Sequence, residues 1–273
     1  MERIQSAIDK ARESRGTTRG TRQDQVSSIG RSAAITENWQ ALPEAALNPR
    51  LLQRNRILTH EGGPDAGPYD MLRTKILQQM RANNWRRLAI TSPSSGCGKT
   101  TTSCNLAFSL ARQPDLHTIV IEIDMRRPAM ANILNQRNQQ QFSKVLAGKA
   151  AYPEHMVRFR DNLAFGTNTM PVRNSAELLQ STTARHVLEE IEKALDPTIV
   201  IFDTPPLLVS DDTIGFLEQV DCALLIAESE TTTTDEIDSC EQDMAAYTNV
   251  LGVVLNKCRY MGKGYGYGYG YGY

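Results

Sequence analysis

An α/β fold built on a doubly wound, mostly parallel sheet is the architecture this sequence predicts, and three observations carry it. Five β-branched, strongly apolar runs recur at 86–92, 117–124, 198–206, 222–229 and 250–256. Runs that are apolar on both faces suit parallel strands covered by helices on each side. Between them, 100–113, 175–195 and 234–247 show helical periodicity. Strand alternating with helix over short joins implies right-handed crossovers within one sheet, with ligands at the carboxyl ends of its strands.

The elements follow in chain order. Ile4, Ala7, Ile8 and Ala11 give residues 2–13 the narrow apolar stripe of a short helix. Residues 13–32 are polar, basic and punctuated by glycine, and read as a flexible tether. Together they make an N-terminal arm over 1–48. A helical lead-in over 49–84 follows, with a helix from Pro68 that places Tyr69, Leu72, Ile76 and Met80 on one side. The sheet domain is predicted over 85–258. Behind it, 259–273 form a disordered tail in which Tyr265, Tyr267, Tyr269, Tyr271 and Tyr273 alternate with glycine.

Composition excludes several classes. The chain has 273 residues, 30 Lys+Arg against 31 Asp+Glu and a formal net charge of −1, so a protein that coats nucleic acid is not expected. The five cysteines (97, 104, 222, 240, 258) contain no CxxC, and histidines 60, 117, 155 and 186 lack metal-ligand spacing. The chain reads as intracellular. Its apolar runs stop short of the roughly 18 residues that a membrane span needs, and residues 1–16 hold no secretory h-region. Membrane association is therefore expected only through a partner.

The first strand runs straight into residues 92–101, SPSSGCGKTT, and a helix follows. Strand, GxxxxGK[ST], helix is the P-loop, with Pro93 at its first position. Backbone N–H groups of Ser95, Gly96, Cys97, Gly98, Lys99, Thr100 and Thr101 would surround a nucleotide's phosphates. Lys99 would neutralise them and the Thr100 hydroxyl would ligate Mg²⁺. Cys97, at a helix N-terminus, also raises the idea of a redox-sensitive thiol. The second strand ends in Glu122-Ile123-Asp124-Met125-Arg126, and strand alternation would put Glu122, Asp124 and Arg126 on one side. The third ends in Asp203-Thr204-Pro205-Pro206, an acid suited to holding Mg²⁺ through water.

Taken together, SGCGKTT, IVIEIDMRRP, NSAELL (174–179), IVIFDTPP and the terminal GYGYGYGYGY resemble the motifs of the bacterial tyrosine kinases of capsule and exopolysaccharide synthesis, over about residues 50–273. The resemblance implies a cytoplasmic enzyme of P-loop NTPase fold that moves the γ-phosphoryl of ATP to the tail tyrosines, chiefly those of a neighbouring copy. Lys99 and Thr100 fall on the phosphate and Mg²⁺ positions, and Asp124 and Asp203 on the metal-associated acids. Glu122 falls on the tyrosine-proton acceptor, where Asp is usual. Asn256 resembles the adenine-contacting Asn of related ATPases. The implied partners are other copies of the chain, a membrane-embedded chain-length regulator that activates it, and a cognate tyrosine phosphatase. Of the family's ring-forming ExxRxxR only Arg73 remains, with Gly67 and Asp70 at the other places, so a ring is not assured. Two alternatives stand beside this reading. One is a positioning ATPase, whose second P-loop lysine is Ser94 here; the other is a nucleotide-gated adaptor of polysaccharide machinery.

Overall fold

A computed structural model describes residues 32–136 and 140–259. The helix expected over 2–13, most of the tether and the five tail tyrosines lie outside the described residues. Residues 1–41 and 42–273 form two units; in the first, residues 32–40 form helix α1.

The second unit runs α2 (Pro49–Arg54), a 3₁₀ turn (Pro64–Ala66), α3 (Gly67–Asn83), β1 (Arg87–Thr91), α4 (Lys99–Ala111), β2 (Thr118–Glu122), α5 (Met130–Ile133), α6 (Phe142–Leu146) and α7 (Tyr152–His155). It continues through β3 (Met156–Arg160), β4 (Leu163–Gly166), α8 (Ser175–Leu179), α9 (Thr182–Leu195), β5 (Ile199–Asp203), α10 (Asp211–Leu217), β6 (Cys222–Glu228), α11 (Thr234–Ala245) and β7 (Asn249–Asn256). The strands form one sheet in the order β3-β4-β2-β5-β1-β6-β7. Every pairing is parallel except β3 with β4. The five apolar runs became β1, β2, β5, β6 and β7, and the doubly wound α/β fold is the observed one.

Helix α4 lies at the centre. All its residues from Thr102 to Ala111 are buried, as befits a helix enclosed on every side. Phe108 meets Phe159 and Phe165 with ring centroids 5.9 and 5.8 Å apart, and Phe159 stands edge-on to Phe165 at 5.3 Å. Asn105 is one of four buried polar residues on this helix, with Thr102, Ser103 and Ser109. Its side chain accepts from Leu58 N at 2.8 Å and donates to Arg56 O at 2.9 Å. Leu52, Ile57, Ile76, Leu77 and Met80 join the same core cluster as Leu106 and Phe108, so residues 49–84 pack into the core rather than merely leading to it.

Three local expectations are corrected. The single helix over 175–195 is two, because the Ser181 Oγ accepts from Ala184 N at 3.1 Å; a side-chain cap starts a new helix there. Strands β3 and β4 had no counterpart in the sequence reading, since Arg158 and Arg160 interrupt the apolar pattern of this antiparallel edge pair. Finally, β2 ends at Glu122, and Ile123 N and Asp124 N both donate to Asp203 O, at 2.8 and 3.0 Å. The period-2 alternation stops there, so Glu122, Asp124 and Arg126 do not share one side and each finds separate partners.

Candidate functional site

The site is assembled at the carboxyl ends of β1, β2 and β5, three adjacent strands at the middle of the sheet. Residues 92–98 leave β1 and turn into α4. Gly96 and Gly98 have φ of +92° and +94°, in the left-handed region that side chains resist. A Cβ at Gly98 would also stand 2.3 Å from the Asn256 Nδ2. That amide donates to Cys97 O at 2.8 Å, so Asn256, at the end of β7, braces the loop from behind. No side chain caps the N-terminus of α4; its first N–H groups face the loop, the arrangement that receives an anion. Gly98→Ala is expected to lower nucleotide affinity at least tenfold, measured by calorimetric titration of ATP. Unchanged affinity would mean that this turn does not cradle the ligand.

The charged side chains follow from this backbone. Lys99 Nζ donates to Asp124 Oδ2 at 2.7 Å. Thr100 Oγ1 and Ser103 Oγ donate to the two oxygens of Asp203, at 2.7 and 3.1 Å. Burial alone would lower the Lys99 pKa, but Asp203 and then Asp124 outweigh it and hold the ammonium protonated above its ordinary range. The fully buried Asp203 carboxyl is pushed upward by desolvation, against the opposing pull of Lys99 and Thr100. Hydroxyl and carboxylate oxygens are the hard donors that Mg²⁺ takes when it also keeps waters and phosphate oxygens. The residues present therefore fit a magnesium nucleotide.

Glu122 is differently engaged. Its Oε1 accepts from Ala129 N and Met130 N, at 2.7 and 2.8 Å, and its Oε2 accepts from Asn168 N at 2.8 Å. Burial pushes this carboxyl up to about 7, against those three donors and with the help of nearby Asp203. One side chain thus fastens the loop after β2, the start of α5 and the segment after β4.

Of the residues expected at the site, Ser95 through Thr101 form one continuous loop and first helical turn, and Asp124 and Asp203 reach Lys99 and Thr100. Ser95 Oγ accepts from Arg127 Nη1 at 3.2 Å. The Cys97 thiol is buried and donates to Ser94 O at 3.3 Å, a poor position for a redox-sensitive thiol. Asn256 contacts the loop itself. Sequence reasoning missed Ser103, visible only as the next turn of α4, and Arg127. It also missed the ion pair of Arg126 with the buried Asp212, at 2.7 Å, with Ser175 Oγ donating to the same carboxylate at 2.5 Å. Arg73, the remnant of the ring motif, donates to Ser109 O at 2.9 Å and pairs with Asp70; it is held by its own chain.

This fold and its P-loop have known counterparts. Residues 88–263 match the family model of the CobQ/CobB/MinD/ParA nucleotide binding domain. The putative tyrosine-protein kinase CapB of Staphylococcus aureus is 29% identical over 188 residues, covering 68% of this chain and 81% of that protein. The tyrosine-protein kinase CpsD of Streptococcus pneumoniae is 29% identical over 192 residues, covering 69% and 82%. Among solved structures, the kinase domain of the Escherichia coli tyrosine kinase ETK superposes with a TM-score of 0.65 at 28% identity, over 74% of this chain and 80% of that one.

Proposed function

The chain belongs to the CobQ/CobB/MinD/ParA nucleotide-binding family, and from that premise we propose that it is an ATP-dependent protein-tyrosine autokinase whose acceptors are the tyrosines of its own tail. Its curated relatives are bacterial tyrosine kinases. The observation that carries the reading is the convergence of Lys99–Asp124 and Thr100–Asp203–Ser103 on one P-loop, in a chain that ends in five glycine-spaced tyrosines.

Phosphoryl transfer asks a protein mainly to position groups and neutralise charge. The backbone of 95–101 takes the phosphates, and Lys99 balances their charge. Thr100, Asp124 and Asp203 would hold Mg²⁺, which when bound shields the β- and γ-phosphate oxygens. Both Glu122 oxygens already accept backbone N–H groups, so the side chain is committed to joining Ala129, Met130 and Asn168. Glu122 is accordingly a positioning residue that fixes the loop carrying Asp124.

Among the described residues no helix is long and apolar enough to cross a membrane. We read the protein as cytoplasmic, drawn to the membrane by an embedded chain-length regulator of a capsule or exopolysaccharide system, self-associating, and reset by a tyrosine phosphatase. The test is incubation of purified protein with Mg·ATP, alone and with a regulator fragment, followed by detection of phosphotyrosine. Signal is expected on the full chain and none on a chain ending at Met261. Signal that survives truncation would move the acceptors elsewhere, for instance to Tyr247, which is exposed.

A further inference from the structure

Among the described residues the sheet has one uncovered edge beside the site. β7 is the last strand in the order, with β6 on one side and, among the described residues, no strand on the other. It is eight residues long and carries Val253 and Leu255, which are 39% and 57% exposed. An open groove of about 580 Å³ runs along it, walled by α3 and β7 and lined largely by apolar groups including Met71, Leu72, Leu251 and Val254. Gly252, opposite α3, would meet no atom within 4 Å if it carried a Cβ, so the groove is open at mid-strand. Long apolar edge strands are normally blunted or covered, because their free N–H and C=O groups pair with any extended segment that reaches them.

The chain continues from this edge strand into its own tail, residues 260–273. The described residues end at Arg259, three positions beyond β7, and Lys257 just after the strand has a φ of +60°, which breaks the extended backbone. Gly262 and Gly264 follow within the next seven residues. Residues 264–273, if extended, span about 33 Å, against about 26 Å for the eight residues of β7. Their composition is strictly alternating, and in a strand alternate residues share a face. All five tyrosines would lie on one face and all the glycines on the other.

We propose that the unmodified tail folds back as an eighth, antiparallel strand on β7, with its tyrosyl face on the groove beside α3. This is the intramolecular form of strand addition, in which the backbone ladder gives affinity and alternate side chains fill pockets. Its regulatory consequence rests on the kinase reading. Docked tyrosines are withheld from the site, and a tail carrying phosphates, each adding about −1.5 to −2 charges, is a poor occupant of a groove that is largely apolar and holds only Lys75 and Lys257 as cations. Modification would release the tail and open the β7 edge.

Hydrogen exchange of the full chain without nucleotide tests the docking independently of any activity. Residues 249–256 are compared in the wild type, in a chain ending at Met261, and in Gly266→Pro/Gly268→Pro/Gly270→Pro. The last variant keeps every tyrosine and leaves the folded domain untouched while removing tail N–H donors. Exchange at the edge of β7 is expected to rise at least tenfold in both variants, at all protein concentrations. Equal exchange in the three proteins would overturn the proposal. So would protection that survives truncation and grows with concentration, which would place a second copy on the edge. Absence of phosphotyrosine with unchanged protection would sink the kinase reading and leave the docking standing.

Discussion

Lys99→Met is expected to reduce phosphotyrosine formation about 10²- to 10³-fold, the range typical when one preorganised electrostatic contact to developing charge is removed. Lys99 is 12% exposed at its side chain and lies 2.7 Å from Asp124, with Asp203 the larger source of its raised pKa. Methionine fills similar space but leaves two acids and a triphosphate without their cation. An unpaired acid would also destabilise the fold, so thermal unfolding must accompany the kinetics. The informative result is a lost rate in a protein that still melts cooperatively. A rate within tenfold of wild type would remove Lys99 from the chemistry. Lys99→Arg should rescue poorly, because a planar fork does not replace a compact ammonium in a glycine-walled loop.

Glu122→Asp should destabilise the protein by about 1–3 kcal/mol without raising its activity. The prediction separates two roles. Tyrosine-kinase relatives by resemblance favour Asp at this place, so a proton acceptor there should work as well or better with the shorter side chain. A clamp behaves otherwise. Asp falls about 1.5 Å short and cannot span Ala129 and Met130 N–H on one oxygen and Asn168 N–H on the other. Each buried donor left unpaired costs about 1–3 kcal/mol. Glu122→Gln should be destabilised to a similar degree, because its amide N–H would face another N–H. Urea unfolding of the three proteins beside their initial rates decides the matter. Wild-type stability in both variants, with activity kept in Asp and lost in Gln, would restore Glu122 as the proton acceptor.

The sequence was most informative where chemistry restricts residue type. A phosphate-binding turn needs Gly96, Gly98 and Lys99 at fixed spacing, and a buried parallel strand needs a run such as 199–203, so both could be read directly. Legibility failed where the backbone does the work. The donors that hold Glu122 are main-chain groups of residues 129, 130 and 168, which any side chain could carry. Strands β3 and β4 were hidden because an edge pair tolerates Arg158 and Arg160. The inward pairing of Arg73 depends on Ser109, a residue of another helix with no signature of its own. Asn256 was expected to contact adenine; in the structure its amide supports the Cys97 carbonyl, a contact that no motif encodes.

Asn105 bears on where this domain can be cut. Its amide, on the helix that begins with Lys99, is satisfied by the main chain of Arg56 and Leu58. An excision at Trp85, the boundary that hydropathy suggests, would strand a polar group in the centre of the protein and strip Ile57 and Met80 from the core. The smallest heritable module is therefore longer than its motifs. Recombination or engineered fusion that transplants the nucleotide site must carry the stretch from Leu42 with it, and grafts that begin at the first strand should be recovered as insoluble protein.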